Sequence, residues 1–149
     1  MKIVRICAYT SILIILIFVP LKRIEIAYLK PIEAIWMYKF DKCVVLMTDT
    51  GDVGEGIDVV DALQNMKVKS SGIIYLDTAR YIFISESAAE QVSDIKNLVR
   101  NSAKVCKWNG EGSIATALEY AKAHKMGVKA TAVDMFGDLP EIPTFSKQK

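Results

Sequence analysis

The fold is decided by residues 43 to 66, "CVVLMTDTGDVGEGIDVVDALQNM". The opening "CVVLMT" is a continuous apolar run rich in β-formers, which is typical of a strand covered on both faces. A glycine-rich turn follows, and Ile57, Val60 and Leu63 then recur at helical spacing. A strand, a turn and a helix in succession predict an α/β unit.

The chain beyond residue 66 continues this alternation. "SGIIYLD" and "RYIFIS" predict two strands, joined as a tight hairpin or forming one long bent strand. The remaining predicted elements are an amphipathic helix at 87–103 with Val92, Ile95, Leu98 and Val99 on one stripe, a strand at 104–108, a helix at 113–125 and a final strand at 128–135. Strands alternating with helices predict a mostly parallel sheet sandwiched by helices.

The N-terminus has the composition of a membrane anchor. Residues 6 to 21, "ICAYTSILIILIFVPL", carry no charge, and basic residues flank both ends. The run is shorter than the roughly 20 residues that a spanning helix prefers. We predict an uncleaved single-pass anchor at 1–23, a connector at 24–40 and an α/β domain at 41–149. The flanking charges lean slightly toward an exported domain.

Two other interpretations of this segment stay open. A cleaved signal peptide shares the basic start and apolar middle, but no convincing small-residue cleavage site follows. A buried helix or strand of a soluble domain is the other alternative, favoured by the shortness of the run and by Pro20.

Composition bounds the class of protein. The chain has 149 residues, 52% of them hydrophobic, which suits one domain with an appendage. Nineteen basic residues against seventeen acidic ones give a net charge of +2, and the basic residues are scattered. Nucleic acid is therefore not indicated as a partner. A disulfide between Cys43 and Cys106 is conceivable only if the domain is exported.

Three turns are expected to meet at one rim of the sheet, because ligands of doubly wound sheets collect where strands end and helices begin. The turns are 47–56, 108–113 and 133–140. They carry Asp49, Asp52, Ser113, Asp134 and Asp138. Carboxylates placed together repel one another, and a divalent cation relieves that repulsion. Hard oxygen ligands favour Mg²⁺, Ca²⁺ or Mn²⁺ over Zn²⁺.

A simpler interpretation of the same residues needs no ligand. Gly110 and Gly112 supply turn conformations, and Ser113 caps a helix N-terminus. Asp49 and Asp52 are then turn or capping residues. The single histidine, His124, lies on the polar side of a helix, and no chemistry is assigned to it.

The order of these elements resembles a von Willebrand factor A-like domain over residues 42 to 142. In that family a metal-dependent adhesion site uses a D-x-S-x-S loop, a Thr in a glycine-rich turn and a later Asp. The resemblance implies Asp49, Ser113 and Asp134 as ligands, with Thr50 and Asp52 as substitutes for the two serines if one residue is deleted. Gly51 and Val53 replace the two serines of the motif. The implied function is metal-dependent binding of a protein partner at a membrane.

A shorter stretch, "GDVGEGIDVVDALQNMKV", resembles the ClpP and signal peptide peptidase superfamily. That resemblance implies a glycine-turn oxyanion hole and a serine nucleophile with a His or Lys base. Thr78 and Ser85 are the candidate nucleophiles, although neither has a G-x-S setting. An active or degenerate membrane-anchored serine peptidase is therefore the alternative to a non-enzymatic protein-binding domain.

Overall fold

A computed structural model describes residues 28 to 144, except residues 98, 100 and 101. The predicted anchor at 1–23 and the beginning of the connector lie outside the described residues, as does Leu98. Within the described part of the chain, no helix combines the length and the apolar character needed to cross a bilayer.

The strands form two sheets. The main sheet has six strands in the order β4-β3-β2-β6-β7-β8, and the small sheet pairs β1 with β5 in parallel. The strands are β1 (Leu29–Pro31), β2 (Ala34–Phe40), β3 (Cys43–Thr48), β4 (Val53–Gly56), β5 (Ile73–Tyr75), β6 (Tyr81–Ile84), β7 (Lys104–Lys107) and β8 (Val128–Lys129).

The protein is α/β, but the prediction of a mostly parallel sheet was wrong. β2, β6 and β7 are parallel to one another, whereas β3, β4 and β8 each pair antiparallel with a neighbour. The difference begins at a hairpin, since only Asp41 and Lys42 separate β2 from β3. Asp41 adopts a φ of 55°, which Asp tolerates better than most residues.

This hairpin places residues of the predicted connector at the centre of the fold. β2 lies third in the main sheet, between β3 and β6. Apart from Lys39 near its end, its residues are apolar or aromatic on both faces, as is typical of a central strand. We call the end of the sheet where β2, β6 and β7 begin the starting end, and the other the finishing end.

Helices cover both faces of the sheet. α1 (Val59–Lys69) buries Val59, Ala62 and Met66 on one face, and a run of 3-10 turns (Glu86–Asn97), kinked at Ala88, buries Ala88, Val92 and Ile95 in the same core. α2 (Ile114–Ala123) buries Ala117, Leu118 and Ala121 on the opposite face, against Phe83 and Trp108. Shorter 3-10 turns occupy Leu76–Thr78, Ala130–Ala132 and Phe136–Asp138.

The buried stripe of α1 differs from the predicted one. Of the predicted stripe, Leu63 is partly buried against the core, but Ile57 and Val60 are 79% and 69% exposed, and Val59, Ala62 and Met66 are the buried residues. Glycines in β4 explain the difference, because a Cβ at Gly54 would collide with Ala62 and Met66, and one at Gly56 with Ala62 and Asp61. The helix therefore approaches β4 with its small residue facing the strand.

Two other predicted elements were wrong. The predicted pair at 71–77 and 80–85 is neither a hairpin nor one bent strand, because β5 pairs with β1 and β6 joins the main sheet. The predicted last strand is confined to Val128–Lys129, after which the chain turns into a 3-10 segment. The disulfide is also absent, because Cys43 and Cys106 are both free thiols and two strands lie between β3 and β7.

Candidate functional site

Asp49, a predicted ligand, holds the starting end of the sheet together. It directly follows β3, and its Oδ1 accepts hydrogen bonds from the backbone N–H groups of Glu33 and Ala34 at 3.1 and 3.3 Å. Its own N–H donates to the carbonyl oxygen of Ala34 at 3.1 Å. The carboxylate therefore satisfies backbone donors where β2 begins.

Asp52, three residues further on, is paired with a lysine. Lys30 Nζ lies 3.0 Å from Asp52 Oδ1, and the Thr50 hydroxyl donates to Oδ2 at 2.9 Å. Burial by itself raises the pKa of Asp52. Hydrogen bonds from Lys30, Ser70 and Thr50, with the charge of Lys30, outweigh burial and lower the pKa below its ordinary value of 3.8. Both carboxylates of this turn are thus engaged by protein donors.

Ser113 is the N-cap of α2. Its Oγ accepts a hydrogen bond from the backbone N–H of Thr116 at 3.1 Å, which supports the simpler interpretation of this stretch. Gly110 and Gly112 have φ values of 86° and 96°. At Gly110 a Cβ would also collide with the ring of Trp36, so the turn lies directly on that indole.

Asp49 and Ser113 lie at opposite ends of the sheet. β3 runs antiparallel to β2, so Asp49 is at the starting end. Ser113 instead follows β7, which is parallel to β2 and β6 and ends at the finishing end. The expectation that these two turns meet at one rim was therefore wrong, because it assumed that β3 is parallel to its neighbours.

Asp134 and Asp138 lie on the segment that follows β8. Both are exposed. This segment runs beside β7, since Ala130 N–H donates to the Ala103 carbonyl at 2.8 Å and Glu141 forms a parallel bridge with Lys107. Asp138 stands in the 3-10 turn next to the finishing end.

Among the described residues, no three His, Cys, Asp or Glu side chains form a group able to hold a metal ion. Binding of a divalent cation by Asp49, Asp52, Ser113 and Asp134 stays a prediction.

The candidate peptidase residues are also dispersed. The Thr78 hydroxyl lies 2.9 Å from the carbonyl oxygens of Ile32 and Tyr75, whereas the Ser85 hydroxyl accepts from Ser87 at 3.3 Å. Ser85 follows β6 at the finishing end. His124 is the C-cap of α2. This end of α2 lies at the starting end of the sheet, because Lys122 Nζ is 2.6 Å from Oε1 of Glu33. Ser85 therefore has no histidine at its end of the sheet.

A groove that the sequence did not indicate lies on the hairpin of β2 and β3. It has a volume of about 400 Å³ and is lined by Tyr38, Phe40, Asp41, Cys43, Val45 and Glu55. Register explains the grouping, because Tyr38 pairs with Val45, Val45 with Glu55, and Phe40 with Cys43. Directly paired residues project from the same face of a sheet.

This groove begins where the aromatic core of that face ends. Trp36 stacks on Tyr38 with ring centroids 4.3 Å apart and contacts Trp108 at 4.8 Å. The turn at Gly110 covers Trp36, and α2 packs against β6 and β7. In the described part of the chain no helix covers Tyr38 or Phe40, and Phe40 is 70% exposed. In the sequence, this groove was signalled only by the aromatic residues of β2 and by the two residues that separate β2 from β3.

Comparisons of the chain with protein-family models, with curated proteins and with solved structures found no match. The functional assignment therefore depends on the geometry of the described residues.

Proposed function

We propose that this chain is a membrane-anchored domain that docks a partner protein in the groove beside Phe40. The observation that carries the proposal is an apolar groove with a largely exposed aromatic rim, on a part of the sheet that no described helix covers. Exposed apolar grooves with aromatic anchors are characteristic of protein-binding surfaces.

The lining of the groove defines the partner. Cys43 and Val45 supply apolar surface, while Tyr38 and Phe40 supply aromatic walls. Asp41 and Glu55 add carboxylates that form no ion pair with any described residue. The matching ligand is a protein segment that presents an apolar side chain with a lysine or arginine next to it. Basic residues complement such a rim and accelerate association.

The anchor in this proposal is the uncharged segment at residues 6 to 21, and the domain is the only part that the partner contacts. The flanking charges lean only slightly toward export, and we propose on that basis that the groove lies outside the cytoplasm. Protease accessibility in intact cells tests this side: cleavage of the domain by added protease is expected, and protection would reverse the orientation.

Metal-dependent adhesion, which the resemblance to von Willebrand A domains implies, is the second form of the proposal. The carboxylates of Asp49 and Asp52 already accept hydrogen bonds from protein groups, and an ion would have to compete with these donors. This favours docking without an ion. Titration calorimetry of the full chain with Mg²⁺, Ca²⁺ and Mn²⁺ separates the two forms. Heat that is lost in Asp49→Ala and Asp134→Ala would support the metal site, whereas no heat supports plain docking.

The peptidase alternative gains no support from the geometry. No described lysine or histidine nitrogen hydrogen-bonds to the Ser85 hydroxyl, and β4 uses its two glycines for close packing of α1. Labelling of the full chain with a fluorophosphonate tests the alternative, and modification of Ser85 would revive it.

Selection of peptides displayed on phage against the full chain tests the docking proposal. We expect enrichment of apolar residues followed or preceded by Lys or Arg, with binding weakened about tenfold or more by Phe40→Ser, as expected for an aromatic anchor. Met135→Ser is the matched control, because Met135 is 69% exposed and lies outside the groove. Equal binding by Phe40→Ser and wild type would reject the groove as the docking site.

A further inference from the structure

The small sheet of β1 and β5 has an outward face made only of apolar residues. Leu29 pairs with Ile73 and Pro31 with Tyr75 in parallel register, so these four side chains share one face. Ile74 points the other way into the core, where it is 6% exposed. Ile73 and Tyr75 are 49% and 39% exposed. Soluble surfaces rarely leave a whole strand face apolar.

The residues that flank β1 and β5 in the chain include exposed aromatic, aliphatic and basic ones. Tyr28, directly before β1, is 59% exposed, and its carbonyl lies against Gly72, next to β5. The last turn of α1, which leads into β5, carries exposed Val68 between Lys67 and Lys69. Neither lysine forms an ion pair with a described residue. Exposed tyrosines and lysines close in sequence to apolar residues match the chemistry of the membrane–water interface.

The chain itself ties this surface to the apolar N-terminal segment. Six residues, 22 to 27, separate Leu21 from Tyr28. Seven extended steps of about 3.4 Å span at most ~24 Å. A bilayer that holds residues 6 to 21 therefore lies within that distance of Tyr28. Anionic headgroups attract lysines that come this close to the surface.

We propose that Tyr28, Leu29, Pro31, Ile73 and Tyr75, with Val68, Lys67 and Lys69, form a membrane-contact surface that rests on an anionic bilayer. The inference rests on the proposed anchor and adds an orientation to it. β2 begins three residues after Pro31 and carries Phe40 at its far end. Six strand steps of about 3.3 Å place Phe40 roughly 20 Å further along β2. Contact with the bilayer at β1 thus leaves the docking groove accessible.

Quenching by brominated lipids tests this surface in the full chain. Cys7→Ser and Cys43→Ser leave Cys106, which is fully buried and whose pKa burial raises to about 12, so we expect no labelling of this thiol at neutral pH. Ile73→Cys and, as the matched control, Glu111→Cys are each labelled with an environment-sensitive fluorophore. Glu111 is exposed and follows β7 at the finishing end. The proteins are reconstituted into vesicles of phosphatidylcholine and phosphatidylglycerol, and flotation reports whether the anchor holds.

We expect the label at position 73 to shift to shorter wavelength and to be quenched several-fold more than the label at 111. Flotation with equal quenching at both positions would overturn the contact surface and leave the anchor standing. Failure to float would overturn both. A short-wavelength emission at position 73 without vesicles, insensitive to brominated lipid, would show that protein covers this face and would also overturn the proposal.

A double variant tests the role of the lysines. With Lys67→Gln and Lys69→Gln together, quenching of the label at position 73 is expected to fall. Unchanged quenching in that variant would contradict the role given to the lysines.

Discussion

Asp52, which the sequence suggested as an ion ligand, forms an ion pair within the fold. Its carboxylate pairs with Lys30 of β1 and ties the small sheet to the turn after β3. The Asp52 side chain is 10% exposed and that of Lys30 31%, so the pair is partly shielded from solvent. Partly buried ion pairs of this kind stabilise proteins by about 1 kcal/mol.

The depressed pKa of Asp52 predicts a pH-dependent stability. The pKa of Asp52 is lower in the folded protein than its ordinary value of 3.8. The ionised carboxylate therefore contributes its full stabilisation above pH 3.8, and this stabilisation is lost as the pH falls through the pKa of the folded state. Asp52→Asn is expected to lower the free energy of unfolding by about 1 kcal/mol at neutral pH. Urea denaturation at several pH values checks this, and the difference in unfolding free energy between wild type and Asp52→Asn should shrink below pH 3.8. Asp138→Asn, at an exposed position, serves as the control. A difference that is independent of pH would contradict the account of the pair.

Gly110 is required by both its conformation and its neighbour. Its φ is 86°, and a Cβ there would collide with the Trp36 ring. Gly110→Ala is expected to lower the free energy of unfolding by about 1–3 kcal/mol, from backbone strain and displaced packing. Gly137→Ala is the control, because a Cβ at Gly137 meets no atom within 4 Å. Chemical denaturation measures both variants, and equal losses would contradict the placement of the turn on Trp36.

At the scale of the element, α1 shows a sharp contrast in burial between two neighbouring valines. Val59 is 1% exposed and Val60 is 69% exposed. Val59→Ala is expected to cost about 2 kcal/mol of unfolding free energy because it leaves a cavity in the core. Val60→Ala is expected to be neutral or slightly stabilising, because Ala has the higher helix propensity. Thermal unfolding of the two variants compares them directly, and a larger loss for Val60→Ala would restore the stripe predicted from the sequence.

Local sequence patterns were sufficient to predict those strands and helices whose formation depends mainly on residues within the same segment. The apolar run from Cys43 to Thr48 is β3, and Ser113 caps the helix that its position predicted. The stripe of α1 was mispredicted because Ile57 and Val60 fit helical spacing as well as Val59 and Ala62 do. The choice depends on the glycines of β4, which face the helix from another element. Spacing within one segment contains no information about that contact.

At the scale of the whole molecule, strand direction decides which loops meet. The short hairpin between Phe40 and Cys43 reverses β3, and this moves Asp49 to the end of the sheet opposite Ser113. The alternation of strands and helices predicted an α/β protein but left this direction open. The groove was not predicted either, because aromatic residues such as Tyr38 and Phe40 are as typical of a core as of an exposed groove. In the part of the chain that the structure describes, α2 packs against β6 and β7 and leaves these two side chains without a covering helix.

Two surfaces at different ends of the domain then give the molecule an orientation. In the arrangement that we propose, the small sheet of β1 and β5 faces the bilayer, and the groove lies at the far end of β2. A domain of this arrangement presents a docking site away from the membrane while one surface limits its rotation.

The reactivity of Cys43 tests the docking groove most directly. Cys43 is an exposed thiol that lines the groove, and Cys106 is buried with a pKa raised to about 12, so an alkylating reagent reports on Cys43. Alkylation at neutral pH is compared between the purified full chain in vesicles and the chain in its native membranes, in a Cys7→Ser background. Met135→Cys, combined with Cys43→Ser, is the control for access of the reagent. The docking account predicts that native membranes slow alkylation of Cys43 several-fold, that Glu55→Lys abolishes the slowing and that position 135 is unaffected. Equal rates for Cys43 in vesicles and native membranes would contradict it.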